Sequence, residues 1–135
     1  MIAYQQESTL SSQEFIDVLN RSTLGERRPV NEPDRIESML KHGNLIITAR
    51  DNGKLVGVSR SLTDFAFCTY LSDLAVDETY QKKGIGKELI RQTKIASPRA
   101  KLILLAAPKA VHYYPHIGMK QHEFCYYIDD EKELI

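Results

Sequence analysis

The chain has 135 residues, and its 18 basic and 18 acidic side chains balance to a formal net charge of zero, with 42% apolar and 27% charged residues. That length and composition fit one domain, residues 1–135, with a core of its own. The neutral balance argues against nucleic acid as the main partner; no apolar run approaches the ~20 residues of a membrane span, and no basic segment leads into an apolar core as in a signal peptide.

Ile2 to Gln6 reads as a first strand. Ser11-Ser12-Gln13-Glu14 is a capping box, in which the Ser11 hydroxyl accepts from the Glu14 N–H and Glu14 reaches back. Phe15, Val18 and Leu19 continue it as a helix to about Ser22. Thr23 to Asn31, with Gly25, Arg27, Arg28 and Pro29, has no periodicity and is expected as an exposed loop. A second helix starts at Asn31 or Pro33-Asp34, carries Ile36, Met39 and Leu40, and stops at Gly43.

Leu45 to Arg50 and Leu55 to Leu62 are strands joined by Asp51-Asn52-Gly53-Lys54, since Asn-Gly accepts the positive φ angles of a tight hairpin. A turn over Thr63 to Ala66 leads to a strand ending at Val76. A helix follows with Ile85, Leu89, Thr93 and Ala96 on one stripe, closed by Pro98. Lys101 to Ala107 is a continuous apolar run, expected as a strand buried on both faces. Pro108 to Ile117 reads as a short helical segment interrupted at Pro115, and Met119 to Ile128 as a closing strand with Phe124, Tyr126 and Ile128 alternating. The acidic residues from Asp129 to Glu133 are a solvated end.

Between the strand ending at Val76 and the helix lies Gln81-Lys82-Lys83-Gly84-Ile85-Gly86-Lys87. A strand, a glycine-rich turn and a helix start make an anion site: free backbone N–H groups point outward and the helix dipole adds positive charge. Gly84 and Gly86 let a phosphate approach the main chain. A Walker loop needs Ser or Thr where Glu88 stands, and a dinucleotide fingerprint needs a small residue where Leu89 stands; both fail. His112 and His116 are four residues apart, but no third ligand accompanies them, so no metal is expected. Cys68 and Cys125 lack metal-ligand spacing, and free thiols in a cytoplasmic protein are the expectation.

The pattern Gln-x-x-Gly-x-Gly at Gln81–Gly86, preceded by Leu74-Ala75-Val76-Asp77 and followed by Tyr113-Tyr114-x-x-x-Gly118-Met119, resembles the GNAT superfamily of acetyl-CoA-dependent N-acyltransferases. The element order β-α-α-β-β-β-α-β-α-β is similar to that α/β (α+β) fold, a mixed, mostly antiparallel sheet flanked by helices. The resemblance implies that the main chain of Leu74, Ala75 and Val76 binds the pantetheine arm. It implies that the N–H groups of Lys82, Lys83, Gly84, Ile85, Gly86 and Lys87 hold the pyrophosphate, with Gln81 where the family often has arginine. It also implies Tyr114 as the proton donor to the thiolate, close to the cofactor sulfur, and Asp73 as a candidate base, with Tyr70 and Ser72 on the opposite face of the strand. By the same resemblance the loop carrying Arg27 and Arg28 borders the acceptor site, which makes the two arginines candidates for selecting an acceptor with a carboxylate or phosphate.

The expected activity is direct transfer of acetyl from acetyl-CoA to a primary amine of a small molecule, or of a protein or peptide, through a tetrahedral intermediate. Neither cysteine sits in a nucleophile motif. The rival reading is a non-catalytic acyl-CoA-binding or sensing module on the same fold; a third is a nucleotide-phosphate binder. Homodimers are frequent in the family, and the closing strand is a candidate contact.

Overall fold

Ser11 opens the first helix as the sequence predicts: its Oγ accepts the Glu14 N–H at 3.1 Å. The Glu14 carboxylate does not reach back; it pairs with Arg50 at 2.7 Å, a stronger charge-assisted partner. The computed structural model describes all residues 1–135, as two compact units, Met1–Leu105 and Ala106–Ile135.

The first unit holds β1 (Ile2–Gln6), α1 (Ser12–Arg21), α2 (Pro33–His42), β2 (Leu45–Asp51), β3 (Lys54–Thr63), β4 (Cys68–Val76), α3 (Ile85–Ala96) and β5 (Lys101–Ile103). One sheet runs in the order β1-β2-β3-β4-β5, antiparallel throughout except for the parallel pair β4–β5. Asn52 and Gly53 take φ of 49° and 86° in the β2–β3 turn, as the Asn-Gly signal requires.

The sheet is covered on both faces. Phe15, Val18 and Leu19 of α1 and Ile36 of α2 pack with Ile46, Leu55, Val58 and Ala75 on one side. Ile85 and Leu89 of α3 pack with Leu45, Ile47, Ala49 and Val56 on the other. Alternation along the strands sorts these two sets, and a register shift opposite Ala49 and Arg50 lets Leu55 and Val58, three residues apart, share one face. Gly57 seats α3: a Cβ there would stand 3.1 Å from Ile85 Cγ2 and 3.2 Å from Leu89 Cδ1. The far end of the α3 interface is a layer of hydroxyls, with Ser59 bonded to Thr93 at 2.9 Å and Thr69 to Ser97 at 3.2 Å.

Three segments differ from the sequence expectation. Thr23 to Asn31 is not a free loop: Leu24–Arg27 is a 3-10 turn, Gly25 is buried and Arg28 is ion-paired. The expected strand Lys101–Ala107 is short and not buried on both faces, with Ile103 47% and Leu105 56% exposed. It ends the sheet, so one of its edges has no strand beside it. Met119 to Ile128 forms no strand; its period-two pattern meets no ladder partner, and Phe124 and Tyr126 are exposed.

The second unit contains α4 (Tyr113–His116) and two 3-10 turns. Pro115 fits α4 because it lies in the first turn, where its missing N–H would have no helical partner.

Candidate functional site

β4 and β5 pair only at Cys68–Lys101, Thr69–Leu102 and Tyr70–Ile103. From Leu71 to Val76 β4 runs on with β3 on one side and no strand on the other. Main-chain groups along that open edge are available to an extended amide-bearing ligand. The side chains of Leu74, Ala75 and Val76 pack in the two core clusters, so such a role falls to main-chain groups, which face the open edge only at alternate residues.

The open edge leads into the glycine turn. The first backbone bond of α3 runs from the Glu88 N–H to the Gly84 carbonyl at 3.0 Å, which leaves the N–H groups of Lys82 to Lys87 ahead of the helical ladder. Gly84 caps α3 at φ 83°, and Lys82 also has a positive φ of 64°. Nothing lies within 4 Å of the position a Gly84 Cβ would take, so the main chain there is open to an approaching anion. Lys82, Lys83 and Lys87 are exposed around it, and Gly86 sits in the first helical turn.

Sequence reasoning gave Gln81 a ligand-facing role; the structure gives its amide a local partner, the Val76 carbonyl at 3.0 Å. The base of the turn is anchored by Asp77, whose Oδ1 accepts the Thr79 N–H at 2.9 Å and whose Oδ2 pairs with Arg21 at 2.8 Å. Burial raises the Asp77 pKa, but the bonds from Thr79 and Arg21 outweigh it and hold the carboxyl below its usual value. Tyr80 donates to Asp51 at 2.7 Å, and the Lys83 ammonium stands 5.2 Å from the Tyr80 ring centre.

Asp73 lies in the same unit in a different setting. It has no exposed surface, and its two oxygens accept from two guanidinium Nε groups, those of Arg28 and Arg60. The β3–β4 register explains how it arrives there. Arg60 opposes Asp73 while Ser61 opposes Leu71, so Ser72 is an extra residue, a β-bulge. Leu62 opposes Tyr70, and Arg60 and Leu62 share a face of β3, so Tyr70 and Asp73 point to the same side of the sheet. Strict alternation puts them on opposite sides; the bulge reverses this. Arg60 is a functional-region residue that the sequence reading missed. Its signal was a charge in the middle of the Leu55–Leu62 run, which demands a buried partner.

Tyr114 belongs to the second unit, on α4, with the Tyr113 ring edge-on at 5.3 Å between centroids. Its carbonyl accepts the Met119 N–H at 3.0 Å, and Gly118 turns the chain at φ 100°. Burial, and secondarily Tyr113, push the Tyr114 phenol above its ordinary pKa, so it keeps its proton at neutral pH. His112 is the N-cap of α4 and His116 its last residue. No helix of the chain is long and apolar enough to cross a membrane.

Residues 12–119 match the acetyltransferase (GNAT) family. The histone acetyltransferase TAP1 of Glycine max is 31% identical over 70 residues, which cover 50% of this chain and 30% of that protein. A GNAT family acetyltransferase from Streptococcus pneumoniae superposes with a TM-score of 0.78 at 22% identity, over 97% of this chain and 100% of its own. An aminoglycoside acetyltransferase from an uncultured soil metagenomic sample, solved with sisomicin, gives 0.67 at 19% identity, over 96% and 97%. At these identities the two structures speak for the fold. Together with the family match over most of the chain, they settle the classification: the protein belongs to the GNAT acetyltransferase family.

Proposed function

We propose that the protein is an N-acetyltransferase that takes acetyl-CoA and passes the acetyl group directly to a primary amine of a small molecule. The observation that carries this reading is the open edge of β4 running straight into the Gln81–Lys87 turn. An amide-bearing arm joined to a pyrophosphate matches that sequence of groups; a nucleotide alone would use the turn and leave the edge idle.

Acetyl-CoA supplies an activated thioester. The main chain of Leu74, Ala75 and Val76 aligns its arm, and the N–H groups of Lys82 to Lys87 neutralise its pyrophosphate, aided by the exposed lysines. The amine nitrogen forms a bond to the acetyl carbon, the carbon–sulfur bond breaks, and the amine loses a proton. Tyr114 gives its phenolic proton to the departing sulfur and recovers one from solvent. Its upward-shifted pKa favours this role by keeping the phenol protonated.

Asp73 does not serve as base in this account. To take a proton it would have to give up a guanidinium contact in a site without exposed surface. The amine therefore arrives neutral or releases its proton to water. As acceptors, protein lysines stand second to small-molecule amines, and the histone acetyltransferase name of the Glycine max relative keeps them in the screen.

The test is CoA-thiol release across amines, amino acids, polyamines and peptides, repeated with Tyr114→Phe. The expected result is amine-dependent release that falls about 100-fold in Tyr114→Phe, within the usual range for general acid catalysis, while acetyl-CoA affinity is retained. Binding without release from any acceptor would turn the reading to a sensing module.

A further inference from the structure

The Arg28–Asp73–Arg60 cluster is more elaborate than either ion pair needs to be. Two cations share one buried anion, and each also holds backbone or hydroxyl groups around Ser72. Arg28 donates to the Ser72 carbonyl at 2.8 Å and to the Arg27 carbonyl at 2.9 Å. Arg60 donates to Ser72 Oγ at 3.1 Å and to the Met39 carbonyl at 3.1 Å, near the end of α2. Gly43 makes room for the Arg60 stem, since a Cβ there would come 2.8 Å from Arg60 Cγ. A buried ion cluster is weak evidence for stability in general, because desolvation offsets much of its attraction. What this one achieves is geometric.

Ser72 is the residue that β4 carries in excess of β3. A bulge breaks the local ladder and bends its strand, and a carbonyl released from the ladder needs another donor. Arg28 is that donor for Ser72. The bulge also sets the parity of everything beyond it: without it, β4 would slip by one residue and Leu74 to Val76 would turn each side chain and each main-chain group to the other side.

We propose that Arg28, Arg60 and Asp73 are positioning residues that hold the Ser72 bulge and thereby aim the main chain of Leu74–Val76 at the acyl arm. This rests on the acyl-CoA reading of β4 given above. The cluster touches no substrate in this account. It acts through Ser72, two residues ahead of the edge that does.

The test compares two ligands on wild type, Arg28→Ala and Arg28→Lys by titration calorimetry at a temperature where all are folded. Acetyl-CoA reports the turn and the β4 edge together; adenosine 3′,5′-bisphosphate, which lacks the arm, reports the turn alone. Arg28 is chosen because it is partly exposed and its removal leaves Asp73 paired with Arg60. The expected result is that Arg28→Ala weakens acetyl-CoA about tenfold, the value of one or two hydrogen bonds, and leaves the bisphosphate unchanged. Arg28→Lys, which keeps a charge but cannot bond two acceptors in fork geometry, falls between. It carries the same comparison should the alanine variant not fold. A purely structural role would lower the melting temperature and leave the ratio of the two affinities at the wild-type value; that unchanged ratio overturns the proposal. A wild-type protein that bound the bisphosphate but not acetyl-CoA would instead overturn the acyl-CoA reading itself.

Discussion

The Gln81 side-chain amide donates to the Val76 carbonyl at 3.0 Å, tying the phosphate-type turn to the last residue of the strand that precedes it. This bond joins the start of the turn to the end of the open edge of β4, the two halves of the proposed acyl-CoA site. Gln81→Leu keeps the size of the side chain and removes the donor. It should weaken acetyl-CoA by about fivefold, the value of roughly 1 kcal/mol for one hydrogen bond. The exposed position means that the melting temperature should hardly move. Parallel titrations of the two proteins check both statements.

Ser61 Oγ is a buried side-chain oxygen with no hydrogen-bond partner. A buried hydroxyl without a partner costs about 1–3 kcal/mol, and removing it, which leaves a methyl side chain, removes that cost. Ser61→Ala should therefore raise the melting temperature by about 4 °C, the shift expected for ~1 kcal/mol in a chain of this size, and leave thiol release unchanged. A calorimetric scan decides it; a lower melting temperature would mean that the hydroxyl is satisfied.

Glu7 has its pKa pulled down from 4.5 to about 2, first by its bonds from the Arg50 guanidinium, against the opposing effect of burial, and further by the Thr48 hydroxyl. The folded state thus binds this proton less readily than the unfolded chain. The stabilisation is fully present above pH 4.5 and is lost as pH falls toward 2. Glu7→Gln should be less stable at neutral pH and should lose less stability between pH 4.5 and 2 than the wild type. Melting temperatures of both proteins across that window are the check.

What was legible in the sequence is what depends on neighbours along the chain. The Ser11 cap, the Asn52-Gly53 turn, the α3 stripe and the strand–turn–helix around Gly84 all formed where local rules put them. What was not legible depends on partners far away. Arg60 and Asp73 find each other only through a bulge, and one extra residue at Ser72 is enough to bring Tyr70 and Asp73 to one face. The capping-box glutamate was drawn off by Arg50, 36 positions on. The alternation of Phe124, Tyr126 and Ile128 is a necessary feature of a strand but does not supply the ladder that makes one. For the candidate site, the motif located the turn and the strand end; the main-chain role of Leu74 to Val76 was expected only through family resemblance, because a strand edge left unpaired has no signature in composition or period.

The acyl-CoA reading of β4 and the Gln81–Lys87 turn is tested by a titration of the wild-type protein with acetyl-CoA. Saturable binding at a single site per chain is expected. No heat of binding and no thermal stabilisation at millimolar acetyl-CoA would contradict it, because a turn with open N–H groups and a strand edge left unpaired would then have some other purpose.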